Sequence, residues 1–223
     1  MSPAELNPEV RERLRAALSS RSSPTRAQLR RRGLAALALA VAPLIAALAV
    51  RGVHAGARPY GYVGIVAVAW CSLVVAASSW VLRPGPTPLG RPRPTLLVLA
   101  MALPPCLLAV AFAASILFPE TLRSSNLGWR VHLACALTAS ALSLAPLGIA
   151  LWFFRRSDPV RPAVTGAALG AIAASWGATV VAIQCPHPEP LHVALGHVVP
   201  IALTAIVTAV VGARVLSLRR SVE

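Results

Sequence analysis

Six long apolar blocks, separated by short breaks rich in arginine and proline, constrain this chain more than any other feature. They run at about Leu34–Val50, Tyr60–Leu82, Thr95–Phe118, Val131–Phe154, Ala163–Ile183 and Leu191–Leu216. A helix crossing a bilayer needs ~20 mostly apolar residues, and a regular helix satisfies its own backbone groups in hydrocarbon. The expected fold is all-α: a polytopic membrane bundle of six transmembrane helices over residues 34–223, preceded by a cytoplasmic tail at 1–33. Charged residues make up 13% of the chain, about half the usual share of a soluble protein. That excludes an ordinary soluble domain, a disordered segment and a disulfide-stapled secreted module.

All 21 basic residues are arginine, and the formal net charge is +14. A strongly basic chain raises nucleic acid as a partner, but these arginines sit in the breaks and form no compact basic domain. Membrane lipids are the expected contact, through their headgroups, and no direct nucleic-acid binding is expected. Seventeen arginines fall in the N-terminal tail, the second and fourth loops and the C-terminus, against four on the other side. The positive-inside rule then puts both termini in the cytoplasm. Arg30–Arg32, the first apolar block and Ala55-Gly56-Ala57 loosely imitate a signal peptide with its cleavage site. The apolar run is too long for that, so the block is read as a retained span.

Within the tail, Asn7-Pro8-Glu9 reads as a helix start, with Asn as N-cap, Pro at the first helical position and acids in the first turns. Leu6, Val10, Leu14 and Leu18 recur every fourth residue, giving a short amphipathic helix that ends at a Ser19–Pro24 linker. Such a helix is marginal alone in water. Its apolar stripe can lie on an anionic leaflet or dock into a groove on a soluble partner, and the pattern leaves both open.

The apolar blocks lack a carboxylate at mid-depth, whereas coupled transporters keep ionisable residues there. No inverted repeat, phosphate-binding loop, nucleophile elbow or zinc-protease helix is present. These absences favour a protein that is not an enzyme and carries no cofactor, and they disfavour the alternative of a small transporter or channel. Helix five carries Gly166, Gly170, Ala174, Ala178 and Ala182 four apart, a ridge that suits close packing inside the bundle or a homodimer contact. Pro104-Pro105 and Pro200 are expected to kink helices three and six.

The densest chemistry lies at Gln184-Cys185-Pro186-His187-Pro188-Glu189-Pro190-Leu191-His192, reaching on to His197, at the outer turn between helices five and six. Alternate prolines hold this turn extended. Helix four starts at the same face, so His132 and Cys135 share a depth with Cys185. Cys135 and Cys185 are a candidate redox pair on the oxidising side of the membrane, provided their Cα atoms come within ~7 Å; otherwise they are small packing residues. Cys185, His187 and His192 are metal-ligating types but match no dedicated spacing, so no metal is assigned. The candidate signal-sensing set is Cys135, Cys185, His187, His192 and His197. Cys71 and Cys106, near the middle of helices two and three, are expected to be inert.

With Gln184-Cys185-Pro186, His192, Gly196-His197 and Gly212-Ala213-Arg214 in place, the chain resembles the NrsF-like family of six-helix bacterial membrane anti-sigma factors, which includes CarR-type light-responsive regulators. The resemblance covers the whole layout of tail, six helices and inward termini. It implies a negative regulator at the bacterial inner membrane that sequesters an extracytoplasmic-function sigma factor until a signal releases it. It also implies cysteine-dependent responses to metal or oxidative stress, carried onto Cys135 and Cys185. No zinc-binding His-x-x-x-Cys-x-x-Cys pattern is present, so the sigma contact is assigned to Leu6, Val10, Leu14 and Leu18.

Overall fold

The computed structural model describes residues 9, 12, 26–52, 58–82, 93–122, 127–154 and 161–216. The tail positions Leu6, Val10, Leu14 and Leu18 lie outside the described residues. Among the described residues are six long helices: α1 Arg26–Arg51, α2 Tyr60–Leu82, α3 Arg93–Leu117, α4 Trp129–Phe154, α5 Pro162–Gln184 and α6 Pro190–Val215. A 3-10 turn at Pro119–Leu122 follows α3, and no strand occurs among the described residues. All six helices are long and apolar enough to cross a membrane.

Helix α1 starts at Arg26, well ahead of its apolar window at Gly33–Val50. It closes at Gly52, whose φ of 69° lies in the left-handed region that favours glycine and whose N–H bonds the Leu48 carbonyl at 2.8 Å. Pro43, Pro104-Pro105 and Pro146 all lie inside helices that continue on both sides. Helices α5 and α6 both begin with proline in the first turn, where its missing N–H costs nothing.

Helix α5 is the axis of the bundle. Its span is 94% buried, against 17–44% for the others, and it touches each of the other five helices. Its composition explains the position. Small residues let neighbouring helices approach closely, and that close approach supplies the packing between apolar helices. Gly166 and Gly170 sit against Thr208 and Gly212 of α6, and Gly177 sits against Ala139 and Ser143 of α4. The small-residue ridge is therefore spent inside the molecule.

Several polar groups along the helices find partners close by. Ser175 and Thr179 donate to the carbonyls of Ala171 and Ser175, at 2.7 Å each. The indole N–H of Trp70 donates to the Leu107 carbonyl at 2.9 Å, and that of Trp176 to Ser78 Oγ at 3.1 Å. Outward faces carry Leu39, Val68, Met101, Ile116, Leu144 and Ile206, all exposed. That belt is unsuited to water and suited to lipid.

Candidate functional site

The chemistry collects at the end of the bundle where α5 stops. Cys185 N–H makes the last bond of that helix, to the Val181 carbonyl at 2.7 Å. The next donor along would be residue 186, a proline with no N–H, so the Ala182 carbonyl is left without its usual partner. Arg58, just before α2, fills the gap. Its Nη1 donates to the Ala182 carbonyl and its Nη2 to the Ile183 carbonyl, both at 2.8 Å. A cation at a helix C-terminus is also favoured by the helix dipole. The side chain is only 5% exposed, and burial lowers its pKa. Gln184 Nε2 donates to the Ala47 carbonyl at 3.1 Å, and the Tyr62 hydroxyl reaches the Pro188 carbonyl at 3.4 Å. The turn is thus anchored to α1 and α2.

Replacing Arg58 with Met should leave two buried carbonyls unsatisfied, worth about 1–3 kcal/mol each, and loosen the turn. Alkylation of Cys185 in the folded protein is expected to speed up clearly, with Arg58→Lys falling between. An unchanged rate would show that the other contacts hold the turn.

Past Pro190, α6 is not uniform. One α-turn at Pro190–Val193 gives way to a π-helical stretch at Ala194–Val198, and α-helix resumes at Val199. Val199 N–H bonds Ala194, five residues back. Pro200 has no N–H for Gly196 and its ring crowds that carbonyl, which favours a wider turn just ahead of it. The effect on the site is large. In a regular α-helix His192 and His197 would point ~140° apart; the π-turn brings their rings to 5.3 Å between centroids.

The cluster assembles from three segments. Cys135 of α4 places its Sγ 3.6 Å from Cys185 Sγ. Cys185 Sγ lies 3.2 Å from His192 Nε2, and His192 Nδ1 lies 2.9 Å from His132 Nδ1. His187 stacks edge-on to His192, with centroids 5.4 Å apart. His192 and His197 are fully buried at 0% and 1% exposure. Neither ring nitrogen of His197 has a hydrogen-bond partner among the described residues. Gly196 permits the closeness: a Cβ there would stand 3.3 Å from both Cys135 Cβ and His192 Cε1.

Two proton arrangements satisfy the relay. In one, His192 Nδ1–H donates to His132 and the Cys185 thiol donates to His192 Nε2. In the other, His132 donates to His192, and His192 Nε2–H donates to a Cys185 thiolate. The Cys135 contact and burial push the Cys185 thiol up, which disfavours a thiolate there. Burial also lowers the pKa of His187, favouring its neutral ring. Cys185 therefore rests as a thiol and His187 as a neutral ring, in a cluster whose sulfurs and ring nitrogens can be oxidised or bind a soft cation.

All five sequence-derived residues, Cys135, Cys185, His187, His192 and His197, meet at this end. His132, placed at the right depth by sequence but given no role, joins them, as do Arg58 and Gly196. The proline after Cys185 was the available signal for Arg58. Of the remaining cysteines, Cys71 is half-buried and Cys106 is exposed on its helix, so burial does not supply the inertness expected of Cys106.

Fold and site together define a six-helix bundle of membrane-spanning proportions, with a thiol–imidazole cluster at one end. A family model described as "Negative regulator of sigma F" matches residues 17–217. The chain belongs to that family, a family of negative regulators of a sigma factor and not one named for an enzyme activity. No curated protein and no solved structure matches the chain.

Proposed function

We propose that the protein is a multi-pass anti-sigma factor of the bacterial inner membrane that sequesters an extracytoplasmic-function sigma factor until a signal releases it. The family match over residues 17–217 carries this reading. The arginine asymmetry supports an orientation with both termini in the cytoplasm, which sets the Cys185 turn on the opposite, oxidising side. The tail helix grips the sigma factor through Leu6, Val10, Leu14 and Leu18. Cys135, Cys185, His187, His192 and His197 receive the signal and pass it down α4, α5 and α6. The protein performs no catalysis.

The test is capture of a sigma factor from native lysate by tagged full-length protein in detergent. Val10→Asp/Leu14→Asp should reduce capture at least tenfold, because two buried apolar contacts become desolvated charges, while membrane insertion stays normal. Equal capture by both proteins moves the grip to the inner loops. Capture by neither removes the anti-sigma reading.

A further inference from the structure

We propose that Cys135, Cys185, His192 and His197 form a four-donor site for a thiophilic divalent cation of the Zn2+ or Cd2+ class. The ligand atoms of these four residues all lie within 4.8 Å of one another. Zn–S bonds of ~2.3 Å and Zn–N bonds of ~2.0–2.1 Å require donor–donor edges of ~3.3–3.8 Å around a tetrahedron. The Sγ–Sγ distance of 3.6 Å and the Sγ–Nε2 distance of 3.2 Å already fall close to that range. Only the longest edges must shorten, by about 1 Å. Two sulfurs and two imidazole nitrogens in tetrahedral reach are the donor set that selects zinc-like ions over magnesium or calcium.

A second observation is independent of that spacing. His197 is buried, faces the cysteines and His192, and has neither ring nitrogen hydrogen-bonded among the described residues. A buried imidazole without partners is costly, and a metal bond would satisfy it. The surroundings also match what a metal-binding histidine needs. His132 lies 2.9 Å from His192 Nδ1, and when Nδ1–H donates to it, Nε2 is left free as a ligand. Pro186 is exposed and His187 half-buried at the rim, giving a route from the aqueous side.

Sequence spacing hid this site. Cys185, His187 and His192 lie close together in the chain, but Cys135 of α4 and the π-turn residue His197 replace His187. Binding releases the two thiol protons: M2+ plus two Cys–SH gives M(S-Cys)2 and two H+, with no redox change. The loaded site pins α4, the α5 terminus and α6 together, and its sulfurs are unavailable for a disulfide. Loaded and oxidised states therefore exclude each other.

The site stands or falls apart from the anti-sigma reading, since the experiment contains no sigma factor. Reduced, metal-stripped full-length protein in detergent is titrated with Zn2+, Cd2+ and Co2+. The expected result is one ion per chain, tetrahedral Co2+ visible bands and a Cd–thiolate charge-transfer band. Cys135→Ser and His197→Gln should weaken binding ~100-fold or more, and His132→Gln ~10–100-fold. His187→Gln and Cys71→Ser/Cys106→Ser should bind normally. Substoichiometric metal, or full binding by His197→Gln, overturns the site. If His197→Gln fails to fold, the unmutated protein decides: Co2+ bands of octahedral type, or no metal protection of Cys135 and Cys185 from alkylation, overturn it equally.

Discussion

Gly166→Leu is expected to disrupt the bundle more than any other single change, costing at least about 2 kcal/mol. A Cβ at Gly166 would collide with the Thr208 carbonyl oxygen and stand 2.9 Å from Gly212 Cα. Both obstacles are backbone, so no side-chain rotation relieves them. The two helices must separate, and every contact along the α5–α6 seam weakens with them. Gly64→Ala and Gly148→Ala are the matched controls. Neither has any atom within 4 Å of the added Cβ, and helix propensity alone favours alanine by about 0.5–1 kcal/mol. Thermal unfolding in detergent should show a large loss for the first and no loss for the others. Similar stability for all three would mean that the seam is loose enough to absorb a side chain.

The second large effect follows from the proposed function. Cys135→Ser/Cys185→Ser should abolish sigma-factor release by diamide, reducing a strong induction of a sigma-dependent reporter to baseline. In the wild type the two thiols lose two protons and two electrons to diamide, which becomes the hydrazine, and an S–S bond forms. The sulfurs must close from 3.6 Å to ~2.05 Å. Cys185 Sγ also leaves His192, 3.2 Å away, so the turn and the head of α6 are disturbed together. Each single Ser variant should behave like the double, while Cys71→Ser/Cys106→Ser should induce normally. An induction curve unchanged in the double variant would reduce Cys135 and Cys185 to packing residues.

Much of this was legible in the sequence. Hydropathy marks each span because lipid imposes length and apolarity on every crossing helix. The alternation of spans also places Cys135 and Cys185 at one depth from chain order alone. Rotation about each helix axis is different. In a helix such as α5, small and apolar on all sides, no polar face announces which neighbour each residue meets. The pairing of Arg58 with Ala182 and Ile183, and of His132 with His192, depends on such rotations. His197 depends on one wide turn whose only local trace is Pro200.

That wide turn has a consequence for how the molecule can change over time. Below it, Ile201, Ala205, Thr208 and Gly212 keep the regular phase that seats α6 on α5. Above it, the helix is shifted in phase, and His192 and Val193 are the residues turned inward. The two halves of α6 are thus geared separately. Substitutions near the cluster can retune its chemistry without disturbing the seam, and the seam can stay rigid while the cluster diversifies. One backbone irregularity lets a single helix serve as both girder and receptor.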